Sequence, residues 1–183
     1  MKLIKLFIIL SIVGCQSKGE KLSQDEIAKI KNDIITRSEK HASDLENMDY
    51  NAVMTFYENS DSTVIFGDGY YWGDYKTIDG IWGDIVGKNG WKKILYWNLK
   101  NHKVHVFSKE AASYLVEFDH MHITPEGDTA GSSGCFTYGM QKIEGNWKAV
   151  TVHVSHIPVR DTIEKWWYIY SPERRKGLIK RLE

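Results

Sequence analysis

Residues 111–156 read AASYLVEFDHMHITPEGDTAGSSGCFTYGMQKIEGNWKAVTVHVSH. Three stretches, 111–123, 130–142 and 147–156, alternate apolar or aromatic residues with polar ones, as strands with one buried face do. Thr124 to Asp128 joins the first pair and Ile143-Glu144-Gly145 the second. A loop of three residues with Gly145 left-handed predicts a bulged hairpin that sets Lys142 opposite Asn146. Even-numbered residues then share one face: Tyr114, Val116, Phe118, His120 and His122, then Phe136, Tyr138 and Met140, then Val150, Val152 and Val154. Cys135, Thr137, Gly139, Thr151, His153 and Ser155 take the other face.

Before this meander, a shorter strand is expected at 103–107, with Ser108-Lys109-Glu110 as its turn. Residues 70–97 hold Tyr70, Tyr71, Trp72, Tyr75, Trp82, Trp91, Tyr96 and Trp97, with five glycines among them. So many glycines weaken any helix, so short helical turns and a loop closing one end of the domain are expected. The aromatic residues there fit core and loop packing, a gate for a hydrophobic ligand, or sugar stacking. Thr63-Val64-Ile65-Phe66 reads as a strand that turns at Gly67-Asp68-Gly69 and returns through Tyr70-Tyr71-Trp72. Ile27, Ile30, Ile34, Ala42, Leu45 and Met48 recur near a 3.6-residue period, and Ser23 precedes Glu26 at capping-box spacing. A long helix follows over about 23–46 and a short one over about 50–58, with Val53, Met54 and Tyr57 inward. Helices first and long antiparallel strands later make an α+β domain.

At the N-terminus, Met1-Lys2-Leu3-Ile4-Lys5 is basic, and Leu6 to Val13 is apolar but too short to span a membrane. The run ends in Ile12-Val13-Gly14-Cys15, which resembles a bacterial lipobox. The expected plan is a signal peptide at 1–14, lipidation at Cys15, a tether at 15–22, the domain at 23–158 and a C-terminal extension at 159–183. The extension reads as helical with a basic end, since Arg174, Arg175, Lys176, Lys180 and Arg181 outnumber Glu173 and Glu183. The expected location is the cell envelope, with the membrane reached through the lipid.

Composition narrows the function. Across 183 residues, Lys+Arg and Asp+Glu are both 24, which argues against a nucleic-acid partner. Hydrophobic residues at 42% and charged ones at 26% exclude a disordered chain. Two cysteines, Cys15 and Cys135, build neither a disulfide framework nor a zinc ribbon. There is no Gly-x-Ser-x-Gly, GxGxxG or Walker loop, so no cofactor is expected.

The order helix, helix, hairpin, loop and four long strands resembles the nuclear-transport-factor-2-like, cystatin-fold superfamily, which includes SnoaL-like cyclases and ketosteroid isomerases. Gly145-Asn146-Trp147-Lys148 followed by His153-Val154-Ser155 is similar to the Gly-x-Trp turn and His-x-Ser that end the SnoaL-like and calcium/calmodulin-dependent kinase II association-domain families. Val104-His105-Val106 followed by Glu110-Ala111-Ala112 also resembles the association domain. The resemblance covers about residues 23–158 and implies helices packed in the concave face of a strongly curved, mostly antiparallel sheet, a cone-like barrel. Association-domain pocket arginines align with Phe118, Tyr138 and Val154, so an anionic ligand is not implied here. Such folds host enzymes, binding modules and oligomerisation domains.

The concave face is therefore the expected pocket, lined by Tyr57, Trp97, Phe118, His120, His122, Ser132, Tyr138, Val154 and His156. Counting along the hairpins places His120, Ser132 and His156 in one transverse row, the polar end of an aromatic pocket. The next row, Phe118, Gly134 and Val154, leaves a glycine gap that could admit a ligand. His120 and His156 are the candidates for general acid/base work, since imidazole titrates near neutrality. His120-Met121-His122 puts two imidazoles on one side of a strand, where a metal would bind, but no carboxylate completes a set and no metal is expected. The leading expectation is a non-catalytic domain binding a small, mostly apolar molecule or a protein partner. The alternatives are a cofactor-independent SnoaL-like or isomerase-type enzyme, and a homodimerisation module using the convex sheet face.

Overall fold

The computed structural model describes residues 21–88 and 90–157. The expected leader, Cys15, most of the tether and the extension at 159–183 lie outside the described residues. Among the described residues nine elements follow one another: α1 (Gln24–Glu46), α2 (Tyr50–Met54), β1 (Val64–Gly67), β2 (Tyr70–Asp74), α3 (Tyr75–Val86), β3 (Lys93–Val106), β4 (Ala111–Ile123), β5 (Thr129–Ile143) and β6 (Asn146–His156). The strands form one sheet in the order β2-β1-β6-β5-β4-β3. Among the described strand pairs, only β1–β6 is parallel. The helices cover one face of this curled, open sheet, which is the expected α+β arrangement.

α1 starts on the expected capping box: the Glu26 amide donates to the Ser23 hydroxyl at 3.2 Å, and the Ser23 amide to the Glu26 carboxylate at 2.9 Å. Its buried stripe is Ile30, Ile34, Ser38, His41, Ala42 and Leu45. Two carboxylates pin it to β3. Glu46 accepts from the Trp97 amide at 2.7 Å, and Glu39 meets His102 at 3.1 Å. The other ring nitrogen of His102 bonds the fully buried Tyr114 hydroxyl at 2.8 Å.

Residues 70–97 correct the expectation of short turns and a loop. A 12-residue helix, α3, forms despite Gly80 and Gly83. Asp74 caps it, and Ile78, Trp82 and Val86 bury at four-residue spacing. Burial of those three side chains outweighs the loss of about 1 kcal/mol per helical glycine. β3 is also longer than the expected 103–107 strand. Extra residues at Leu95 and at Asn101 break its register against β4 between Ile94 and Tyr96 and between Lys100 and Lys103, so its sequence lacks a clean alternation. α2 is shorter than expected, ending at Met54, and the chain then runs to Tyr57, which bridges to Ala149.

The β5–β6 hairpin departs in a way that matters for the site. Its loop has two residues, with both Glu144 (φ 50°) and Gly145 (φ 82°) left-handed, so Ile143 rather than Lys142 faces Asn146. Gly145 is left-handed as expected; the three-residue bulged loop is not found. A bulge at Val150 then shifts the register once more. Trp147 and Ala149 therefore point inward where Val150 was expected, and beyond the bulge Val152 and Val154 bury as expected. The two shifts move the pairing by two residues, so His156 lies opposite Gly134 and not Ser132, and Val154 lies opposite Phe136.

Candidate functional site

β4 supplies the site. Its alternation buries Tyr114, Val116, Phe118, His120 and His122 and leaves Asp119 and Met121 on the other face. His120 pairs with Ser132 across the β4–β5 ladder, as expected, and its Nε2 is hydrogen-bonded to the Ser132 hydroxyl at 2.9 Å. The ring lies parallel to Trp97 at 4.4 Å, with Trp91 beyond it at 5.2 Å. His122 stacks face to face on Trp91, 3.3 Å between centroids and 7° between planes. His120 and His122 are 6% and 7% exposed, and the Nδ1 atom of each is buried without a hydrogen-bond partner.

This environment decides protonation. Burial pushes His120 down to about 3, helped by the nearby His122 and His156. Burial alone pushes His122 down to about 4. Both are neutral imidazoles at physiological pH, each able to donate or accept a hydrogen bond by choice of tautomer.

His156 stands one row further in than the expected transverse row. It shares the row Phe118–Gly134–His156 and meets Phe118 edge-on at 5.8 Å. Its partner is Asp68, in the β1–β2 turn. Asp68 accepts the His156 backbone amide at 2.8 Å and its Nδ1–H at 2.9 Å. The Asp68 amide in turn donates to the Val154 carbonyl at 3.0 Å. Asp68 takes φ 47°, which the flanking glycines and the aspartate's tolerance of this region allow. Sequence reasoning treated Asp68 only as a turn residue. Its signal exists only once β1 is laid parallel to β6, a pairing of residues far apart in the chain.

The remaining candidates fall deeper. Tyr57 and Tyr138, each 3% exposed, belong to an inner cluster with His41, Phe56 and Trp82. The Tyr57 hydroxyl bonds His41 Nε2 at 3.2 Å. Burial raises both tyrosines and lowers His41 to about 3. The expected glycine gap is closed. A Cβ on Gly134 would lie 3.0 Å from a Phe118 ring carbon, and closer still to the Ser155 carbonyl. Buried polar groups lie both in the inner cluster, at His41 and Tyr57, and at the His120–His122 end. An open depression of about 380 Å³ adjoins His120 and Ser132 and is lined also by Tyr96, Asp119, Met121 and Gly131. His153 is exposed on the convex face, where it was expected. Among the described residues, no three His, Cys, Asp or Glu side chains converge as a metal site.

A model of the SnoaL-like domain family matches residues 35–160. No curated protein matches the chain. Solved structures share the fold at low identity. A nuclear transport factor 2-like superfamily protein from Salmonella enterica is 18% identical with TM-score 0.63, covering 73% of this chain and 95% of its own. A protein from Xanthomonas campestris, provisionally described as a calcium/calmodulin-dependent protein kinase II association domain, is 14% identical with TM-score 0.55, covering 75% and 90%. A type 2 hexachlorocyclohexane dehydrochlorinase (LinA) is 8% identical with TM-score 0.60, covering 74% and 90%.

The three buried neutral histidines make stability depend on pH. Their folded values of about 3, 3 and 4 lie below the unfolded value near 6.5. The unfolded chain therefore binds more protons in between, and the associated stability is complete above about pH 6.5 and is lost as pH falls. Replacing His120 by Gln should reduce the slope of unfolding free energy against pH by up to about one proton between roughly pH 6.5 and 4. Urea unfolding over that range measures it, and an unchanged slope would show that His120 is not held neutral.

Proposed function

The chain belongs to the SnoaL-like domain family, and we propose that within it this protein is a non-catalytic binding domain. It takes a small, mostly apolar, uncharged molecule at the His120–His122 end of the cone. One observation carries the reading: two buried, neutral imidazoles, each with an unmet Nδ1 atom, stand at the rim of a stack of rings. Leaving such atoms unmet costs about 1–3 kcal/mol each, and a ligand with hydrogen-bonding groups recovers part of it. Neutral imidazoles offer no charge to an anion, and no arginine replaces the aromatic residues at Phe118 and Tyr138.

Proton transfer is the second reading, favoured by the His156–Asp68 pair. A carboxylate that accepts from Nδ1 sets the tautomer and orientation of the ring, which a proton-transferring histidine needs. A dehydrochlorinase has a similar fold.

Native mass spectrometry of the protein as isolated separates the two readings. Binding predicts a small molecule retained by wild type and lost, or held at least tenfold more weakly, in His120→Gln and Ser132→Ala. A compound turned over by wild type, with turnover lost and affinity kept in His156→Asn, would overturn the non-catalytic reading in favour of proton transfer.

We also propose that Cys15 carries a lipid that holds the domain at a cell-envelope membrane, on the strength of Ile12-Val13-Gly14-Cys15 after a basic, apolar leader. Cys15→Ser should move the protein from the membrane fraction to the soluble fraction or leave it unprocessed. A variant that fractionates and matures like wild type would refute the anchor.

A further inference from the structure

We infer that Phe107, at the tip of the β3–β4 hairpin, inserts into the surface of the bilayer beside the lipid anchor. The domain then stands end-on, with its His120–His122 end turned away from the membrane. This inference rests on the anchor proposed at Cys15 and adds the surface that meets the lipid and the orientation of the site.

Phe107 is 72% exposed, the highest value among the large hydrophobic residues described. A hydrogen-bonded turn holds it there. Its amide donates to the Ala111 carbonyl at 2.9 Å, the Ser108 amide to the same carbonyl at 3.1 Å, and the Glu110 amide to the Ser108 hydroxyl at 3.1 Å. Ser108, Lys109 and Glu110 beside it are polar and exposed. A protein partner is recognised by a contiguous apolar patch, which this tip does not offer. A single ring projecting from a polar turn fits a bilayer interface, which takes up the ring and leaves its neighbours hydrated.

The position of the tip points to the same partner. Lys109 pairs with Glu26 in the first turn of α1 at 3.2 Å, and the Lys142 amide donates to the Glu110 carbonyl at 2.9 Å. The β3–β4 tip, the β5–β6 turn and the start of α1 therefore form one end of the domain. Lys21 lies just before α1, and Gln16 to Glu20 separate it from Cys15. That stretch spans at most about 22 Å, so a lipid on Cys15 brings this end against the bilayer. Around the tip, the exposed Lys21, Lys103, Lys109 and Lys142 are balanced by Asp25, Glu26, Glu110 and Glu144. The attraction is therefore apolar and needs no anionic lipid. β4 starts at this end with Ala111 and carries His120 and His122 toward its other end, about 35 Å away at the rise of a strand. A ligand reaches them from the aqueous side.

Supplying the anchor chemically makes the test independent of processing in a cell. Residues 15–183 with Cys135→Ser are coupled through Cys15 to a maleimide lipid in phosphatidylcholine vesicles. With 4-benzoylphenylalanine at position 107, irradiation should give at least tenfold more phospholipid adduct by mass spectrometry than with the same residue at position 95, an exposed site near the far end of β3. Equal yields, or a higher yield at 95, would overturn the inference. The native ring gives a second reading. In protein labelled with 4-fluorophenylalanine, the ¹⁹F resonance assigned through Phe107→Ser should broaden when headgroup-nitroxide lipid is added, and an unbroadened resonance also overturns the inference. If Cys15 of the native protein carries a lipid but the coupled protein shows neither effect, the anchor stands and this inference falls. If native Cys15 carries no lipid but both effects appear, the anchor falls and the lipid-binding tip stands.

Discussion

A row of rings runs along the concave side of the sheet, and the rest of the chain is arranged to keep it dry. Tyr114 stacks toward Tyr138, Tyr138 toward Phe136, Phe136 against Phe118, and Phe118 toward Trp97 and His120. Trp91 and His122 close the end. Such a row buries on one face only if the register keeps every ring on that face, since a slip of one residue would turn it to solvent. The bulges at Leu95, Asn101 and Val150 restore that facing where the strands bend. α1 then lies across the hollow, tied to β3 through Glu46 and Glu39, and α3 adds Trp82.

The polar groups of the site follow from the same constraint. β4 continues its alternation to its end, so the positions after Phe118 must also face inward, and they are His120 and His122. An imidazole is flat enough to extend a stack of rings, and burial makes it neutral. The chain satisfies Nε2 of His120 through Ser132 and leaves the Nδ1 atoms of His120 and His122 unmet. Asp68 completes this end from another direction, because the parallel β1–β6 pair delivers the β1–β2 turn to the last residues of β6.

How much of this was legible in the sequence depended on whether the signal was local. β4 was read residue for residue, because its alternation is unbroken from Ala111 to Ile123. The His120–Ser132 pairing followed from a loop whose length is plain, Thr124 to Asp128. The capping box at Ser23 was equally local. β3 was half missed because its bulges interrupt the alternation, and α3 because its stability comes from burying Ile78, Trp82 and Val86 and not from its glycine-containing sequence. His156 was placed one row out, because a two-residue turn and a bulge each change the count by one and neither is marked by an unambiguous residue. Asp68 and the stacking role of Trp91 depend on contacts between distant segments and have no local signature.

The site depends on His120 and His122 being buried as neutral imidazoles, each with an unmet Nδ1 atom. ¹⁵N chemical shifts of the two rings, followed from pH 7.5 to 4.5, test it most directly. Both rings should keep neutral-tautomer shifts down to about pH 5, with protonation near 4 or below. Titration of either ring with a midpoint near its ordinary value of about 6.5 would contradict it.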